Sequence, residues 1–200
     1  MELSPSMVVE VASNSSAGFG IRIAARVIDA VFGVLVYFLG TMAGMCAVAL
    51  LTALVYRQRG WLDTVQPERF LVLNLALSLA GSVLYQVTTE AIGGTSLGKL
   101  ILRLRVTSED LTPCTFKGAL IRNAAYFLDA LPFGVPAYLA MSRSLLSQRY
   151  GDQWGRTVVM RATAVPPDSR QGKGLIALGI LSGATVWGLL VALSWVLSMR

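Results

Sequence analysis

Two matching stretches of this sequence place an arginine and an aspartate seven residues apart at the start of an apolar run. Residues 22–29 read Arg-Ile-Ala-Ala-Arg-Val-Ile-Asp, and residues 122–129 read Arg-Asn-Ala-Ala-Tyr-Phe-Leu-Asp. On a helix, side chains with this spacing share one face and are separated by about 10.5 Å along the axis. The two charges of one copy are therefore too far apart for a comfortable ion pair, so each needs a partner elsewhere.

Charges of this kind have two interpretations in a membrane helix. Near the headgroups they are structural anchors of low cost. Deeper in the bilayer a carboxylate costs about 2.5–3.5 kcal/mol, so it faces protein or water and marks a transport or ion pathway. We hypothesise that the two copies face each other and form a substrate or ion site, with Arg22 near Asp129 and Arg122 near Asp29. Arg26 can bridge the first copy, whereas the second copy has a tyrosine at that position.

The composition is that of a membrane protein. Hydrophobic residues make up 54% of the 200-residue chain and charged residues only 14%, against about 25% charged residues in soluble domains. The formal net charge of +6 comes from basic residues between the apolar runs, where they meet anionic headgroups. The expected partner is therefore the lipid bilayer and not nucleic acid.

The residue types argue against metal or enzyme chemistry. The chain has no histidine, which is the commonest metal ligand and general base, and its two cysteines, Cys46 and Cys114, lie in unlike surroundings. No Ser or Cys nucleophile stands beside a base. We therefore expect no metal, no cofactor and no catalytic residue, and predict that the protein is not an enzyme.

The hydropathy pattern predicts an all-α membrane protein with three transmembrane helices, over residues 27–56, 70–92 and 174–198. A further apolar segment, residues 119–142, is broken by two prolines and either re-enters the membrane or forms a fourth span. Residues 102–107 alternate like a strand and can pair with residues 157–161 in a short cytoplasmic β-rich element. The predicted organisation is a mobile N-terminal tail (1–18), a membrane domain (19–162), a linker (163–173) and a C-terminal transmembrane helix (174–200).

The distribution of basic residues favours the re-entrant alternative. A fourth span would leave eight basic residues on one side and nine on the other, which is no bias. If residues 119–142 return to their own side, the tally is 13 against 4, as the positive-inside rule requires. We predict a multi-pass protein of the cell membrane whose N-terminus and residues 93–117 and 143–173 are cytoplasmic.

Glycine patterns suggest two further features. Gly40 and Gly44, and also Gly179 and Gly183, form GxxxG motifs, which are faces for a second copy of the chain or for other membrane proteins. The spacing from Gly93 to Lys99 is that of a phosphate-binding loop. That interpretation is rejected, because a leucine stands where the metal-binding hydroxyl is needed and no buried strand precedes the loop.

Four dispersed motifs resemble the RDD family of multi-pass membrane proteins, which is named for one Arg and two Asp. They lie in residues 18–29, 94–106, 119–129 and 148–159. The family positions beyond the two Arg/Asp copies are Arg26, Gly98, Lys99 and Asp152. Two departures stand out: Gly151 occupies a position where His is usual, and Arg156 one where Gly is common.

The resemblance implies a membrane protein with a role in transport or ion exchange, as suggested for some members of the family. The alternative is a membrane scaffold or assembly factor, in which the Arg/Asp pairs only hold helices together. Because no His precedes it here, Asp152 is predicted to have a structural role in a turn at the membrane surface, capping the approach to the strand at 157–161.

Overall fold

The computed structural model describes residues 5–56, 65–130 and 134–199, which are mostly helical. In chain order, the elements are α1 (Pro5–Ser15), α2 (Phe19–Leu51, continued by a π-helical turn at Thr52–Tyr56), α3 (Pro67–Gly93), α4 (Leu97–Ile101), β1 (Leu104–Ser108), α5 (Phe116–Ala124), α6 (Tyr126–Ala130), α7 (Val135–Arg143), α8 (Tyr150–Trp154), β2 (Thr157–Arg161), a 3-10 turn (Pro167–Ser169) and α9 (Lys173–Leu197).

Three helices in the described part of the chain are long and apolar enough to cross a membrane, as the hydropathy pattern predicts. They cover Phe19–Leu54, Pro67–Gly93 and Lys173–Leu197, with 36, 27 and 25 residues. At 1.5 Å per residue, even the shortest exceeds the ~30 Å of a bilayer core. The second begins with Pro67 in its first turn and Glu68 beside it, both of which suit a helix N-terminus.

The segment at 119–142 does not form a fourth membrane-length helix in the residues that the structure describes. It belongs to α5, α6 and α7, which have 9, 5 and 9 residues, so that the longest is about 13 Å long. Pro136 lies in the first turn of α7, and Pro132 falls in residues 131–133, outside the described residues. Whether the segment re-enters the membrane or crosses it stays a prediction.

The two strands pair as the sequence predicts. β1 and β2 are antiparallel, with Val106 opposite Val159 and Ser108 opposite Thr157. Because one strand precedes α5–α7 and the other follows them, the chain leaves the sheet and returns to it. That residues 119–142 begin and end on the same side of the membrane stays a prediction.

The N-terminal segment, which was predicted to be a mobile tail, contains helix α1 at residues 5–15, and its mobility stays a prediction. Ala12 is fully buried in a small apolar cluster with Leu111, Met160 and Val165. The backbone N–H of Ala17 also donates to the carbonyl of Val159 on β2, at 2.8 Å. Packing against the sheet therefore stabilises a helix that the mostly small and polar residues of this segment do not predict by themselves.

The chain divides into two compact units. Unit 1 comprises Met1–Ala30 and Gln86–Ser182, and unit 2 comprises Val31–Tyr85 and Gly183–Arg200. Unit 1 thus holds α1, the sheet, the short helices α4–α8 and one end of each long helix. The N-terminal segment and the predicted cytoplasmic segments 93–117 and 143–173 all belong to it.

Unit 2 uses one GxxxG motif within the chain. A side chain at Gly40 would meet the backbone of Gly188, and one at Gly44 would meet Trp195. The small residues therefore let α2 and α9 approach closely. Asn74 of α3 joins both neighbours: it accepts from Tyr37 at 2.8 Å and donates to Ser194 at 3.0 Å. A face for partners through this motif stays a prediction, and it would have to compete with these contacts.

The path of the chain predicts where cysteines are labelled. In a protein without Cys46 and Cys114, we expect Lys117→Cys and Arg161→Cys to lie on the same, cytoplasmic side. An impermeant reagent should therefore label both in inverted vesicles and neither in right-side-out vesicles. Glu68→Cys, at the other end of α3, should react from the opposite side. All three positions are exposed. Reaction of positions 117 and 161 from opposite sides would mean that residues 119–142 cross the membrane.

Candidate functional site

A cavity of about 370 Å³ lies within unit 1, and all four residues of the predicted substrate or ion site line it: Arg22, Asp29, Arg122 and Asp129. The two copies of the Arg/Asp motif are thus brought to one place. Their predicted pairing is wrong, however, because neither arginine forms its ion pair with the aspartate of the other copy. Both pair with Asp152.

Asp152 is the centre of the ion pairs. Its carboxylate lies 2.5 Å from Nη1 of Arg22, 3.1 Å from Nη2 of Arg122 and 3.4 Å from Nη2 of Arg149. The residue is fully buried and lies in helix α8, which corrects the prediction of a turn, whereas its place at the membrane surface stays a prediction. Burial alone would raise the pKa of the Asp152 carboxyl, but the three arginines outweigh burial and hold that pKa well below its usual range.

Local structure aims this carboxylate inward. Asp152 is the third residue of α8, and its side chain accepts from the backbone N–H of Arg149, so it caps the start of α8. Its backbone carbonyl accepts from Oγ1 of Thr157, the first residue of β2, at 3.4 Å. α8 packs tightly on α5, because a side chain at Gly155 would meet the carbonyl oxygen of Gly118 at 2.7 Å. This close approach brings Asp152 to Arg122.

Glu90, near the end of α3, is the second fully buried carboxylate. It pairs with Lys99, lies 3.5 Å from Nε of Arg122 and accepts from Asn123 at 2.8 Å. Burial lowers the pKa of the Lys99 ammonium, against the attraction of Glu90. Sequence reasoning missed Glu90 as a site residue. The available signal was a carboxylate that ends an otherwise uncharged span shortly before a Gly-Lys motif.

The loop that contains the Gly-Lys motif donates hydrogen bonds to Asp29. The Asp29 carboxylate accepts from Ser96 Oγ at 2.6 Å, from the backbone N–H of Gly98 at 2.8 Å and from Gln86 at 3.1 Å. The loop whose glycine and lysine spacing matches a phosphate-binding loop therefore binds a carboxylate of the chain itself, at the start of α4. A side chain at Gly98 would overlap the carbonyl oxygen of Ala25, so only glycine lets α4 approach α2 this closely.

Asp129 and Arg26 have looser partners. Oδ2 of Asp129 accepts from the backbone N–H of Gly151 at 3.2 Å and lies 3.7 Å from Nε of Arg149. Arg26 does not bridge its own copy of the motif: its guanidinium lies over the ring of Tyr126, 4.2 Å from the centroid. Within the described residues, Arg26 forms no ion pair within 4.0 Å.

Nine charged side chains therefore surround the cavity or pair with its wall, and we call them the charged cluster: Arg22, Arg26, Asp29, Glu90, Lys99, Arg122, Asp129, Arg149 and Asp152. Within the parts of the chain that the structure describes, no group of three or more His, Cys, Asp or Glu side chains is arranged to hold a metal ion. Chemically, the cluster can hold small ions or charged groups by ion pairs and hydrogen bonds.

The position of Asp152 predicts a large effect of its neutralisation. Asp152→Asn should destabilise the detergent-solubilised protein by about 3–5 kcal/mol, because Arg22 and Arg122 lose the carboxylate that compensates their buried charge. Asp110→Asn is the matched control: Asp110 is exposed, and its carboxylate accepts from Thr112 in a local turn, so a change below about 1 kcal/mol is expected. Unfolding followed by intrinsic fluorescence measures both, and equal effects would contradict the central position of Asp152.

The contact at Gly98 predicts a second effect on stability. Gly98→Ala should destabilise by about 1–3 kcal/mol, because the added methyl group forces α4 away from α2. Gly20→Ala in α2 is the control, since no atom lies within 4 Å of an added Cβ there and alanine favours a helix. The same unfolding assay compares the two, and a Gly98→Ala protein as stable as Gly20→Ala would show that the close approach is not needed.

Comparison with known proteins gives a family match but no individual relative. No curated protein and no solved structure matches the chain significantly. Arg156, at a position where glycine is common in the RDD pattern, has a φ of 49°, a left-handed conformation that glycine adopts most easily. The model of the RDD family matches residues 16–156, which is more than half of the chain, and the protein therefore belongs to the RDD family.

Proposed function

We propose that this RDD protein transports or exchanges ions across the cell membrane and that the cavity of unit 1 is its binding site. The observation that carries the proposal is the composition of the cavity wall, to which both Arg/Asp copies contribute. We further propose that unit 1 lies on the cytoplasmic side, as the bias of basic residues indicates. No enzymatic step is part of the proposal.

Two buried polar atoms of the wall residues support an ion site. Nη1 of Arg122 and Oδ1 of Asp129 have no hydrogen-bond partner among the described residues, although Arg122 is 2% and Asp129 1% exposed. Buried polar groups are hydrogen-bonded in the great majority of cases, so exceptions call for a reason. One atom is a cationic donor and the other an anionic acceptor. A passing ion or a proton on the carboxylate can supply what each of them lacks.

The scaffold alternative has its own support in the six ion pairs of the cluster, which hold α2, α3, α4, α5 and α8 together. On that alternative, the charges serve stability only and the protein moves no ion. The two functions differ in one measurable property, which is flux. Asp129 is the residue to test, because it lines the cavity and has an oxygen without a partner, whereas Asp152 is needed for stability.

We expect purified protein in liposomes to exchange ions after gradients of Na⁺, K⁺ or chloride are imposed, read as uptake of the isotopically labelled ion and, where protons are exchanged, by an internal pH-sensitive dye. Asp129→Asn should slow this exchange by about 10-fold to 100-fold, the equivalent of the ~1.5–3 kcal/mol of one hydrogen bond to a charged group. The shape of the side chain is kept, and the remaining amide oxygen can still accept from Gly151.

Asp110→Asn is again the matched control and should keep the wild-type rate, because Asp110 is outside the cavity wall. Unfolding curves of both variants separate a loss of flux from a loss of fold. If the wild-type protein moved none of these ions, or if Asp129→Asn were as fast as wild type, the scaffold would be the better proposal.

A further inference from the structure

The charged cluster carries one positive charge in excess. It contains five basic and four acidic side chains, and its six ion pairs join every basic residue except Arg26 to a carboxylate. Arg26 instead lies over Tyr126, which supplies a weaker attraction to the face of the guanidinium. The edge of a guanidinium carries its N–H donors. Arg26 is thus the cation of the cavity wall that forms no ion pair within the described chain.

The surroundings of Arg26 are those of a membrane surface. It lies on α2 within a candidate span, seven residues after Phe19 and so about 10 Å from the helix start. Ile23 and Val27 flank it, line the same cavity and are 47% and 57% exposed. One edge of the cavity is therefore made of apolar side chains that a spanning helix turns toward lipid. This apolar rim disfavours the entry of a fully hydrated ligand, whereas the acyl chains of a lipid can lie against it.

The charge and size of the cavity select the kind of headgroup. A single excess positive charge is balanced by one negative charge, which a phosphodiester carries at neutral pH. A phosphate monoester, with a charge of about −1.5 to −2, would leave a negative excess. A guanidinium binds phosphate oxygens through two parallel N–H donors. The volume of about 370 Å³ is within the range of small-molecule sites, about 300–1,000 Å³.

We propose that the cavity binds the phosphodiester of an anionic membrane phospholipid, held by Arg26 and reached from the bilayer past Ile23 and Val27. Arg122, which lines the same cavity and has Nη1 without a partner in the described residues, is the second donor available to the bound phosphate. The lipid balances the excess charge of the cluster, and its acyl chains lie along the exposed side of α2. The inference concerns the same cavity as the proposed function, but it is tested by binding and not by flux.

The test is native mass spectrometry of the full-length protein in detergent, titrated with phosphatidylglycerol, phosphatidic acid and diacylglycerol. We expect one phosphatidylglycerol per protein, bound at least about tenfold more tightly than the other two, as one charge-assisted hydrogen bond predicts. Arg26→Gln should lower the affinity for phosphatidylglycerol by a similar factor. Arg26→Lys, which keeps the charge without the planar fork, should retain part of it.

Arg143→Gln is the matched control, because Arg143 is exposed and lies outside the cavity wall. An equal loss in Arg143→Gln would overturn the proposal in favour of diffuse attraction between basic residues and headgroups. So would equal binding of diacylglycerol, or full competition by soluble glycerophosphoglycerol, which would indicate a water-soluble diester. If Arg26→Gln does not fold, Arg26→Lys still decides, since a lipid affinity equal to wild type would contradict a guanidinium site. Lipid binding without ion flux would refute the proposed function and leave this inference standing, and flux without lipid binding would do the reverse.

Discussion

The burial of the Asp152 carboxylate is the constraint on which unit 1 depends. Three segments supply its arginines: Arg22 from α2 and Arg122 from α5, which are remote in sequence, and Arg149 from the residue before α8. None of these charges can leave the group without exposing the others to a poorly solvated environment. The relative placement of the three segments is therefore coupled, and the carboxylate acts as a common anchor for all of them.

Close backbone approach makes these ion pairs geometrically possible. Gly118 and Gly155 let α5 and α8 touch, Gly98 lets α4 lie against α2, and a side chain at Gly151 would meet the carbonyl oxygen of Arg122 at 2.7 Å. Each glycine thus removes the side chain that would hold two helices apart. The same physics operates separately in unit 2, where Gly40 and Gly44 admit α9. Glycines thus set the distances between packed helices, and in unit 1 these short distances allow the ion pairs to form.

Some side chains of the charged cluster have several partners and others have few. The first group serves mainly stability, and the second is available for binding. Asp152 and Glu90 each have several partners, so their removal chiefly affects stability. Within the described residues, Asp129 has an oxygen without a hydrogen-bond partner, and Arg26 lies over an aromatic ring and forms no ion pair. These two residues border the cavity. Their charges are available to a ligand without dismantling the fold, which is the property that a binding site in a membrane protein requires.

The amino-acid sequence by itself determined the three spans, the broken segment at 119–142 and the pairing of residues 104–108 with 157–161. These features follow from hydropathy, length, prolines and alternation, which are local properties of the chain. Helix α1 escaped prediction because its order comes from packing against the sheet. The sequence also singled out Arg22, Asp29, Arg122 and Asp129, since charge in an apolar run is conspicuous.

Only the tertiary structure decided which charges meet. The repeat suggested that the two copies neutralise each other. The carboxylates that pair with Arg22 and Arg122 are instead Asp152 and Glu90, which lie outside both copies. An aspartate beside a glycine has the same local signature in an exposed turn and in the first turn of a buried helix. Two of the three arginines that pair with Asp152, Arg22 and Arg122, lie 130 and 30 positions away in the chain. Because ion pairing depends on distance in space, and sequence spacing predicts distance only within one helix, the partners of these charges could be read from the fold alone.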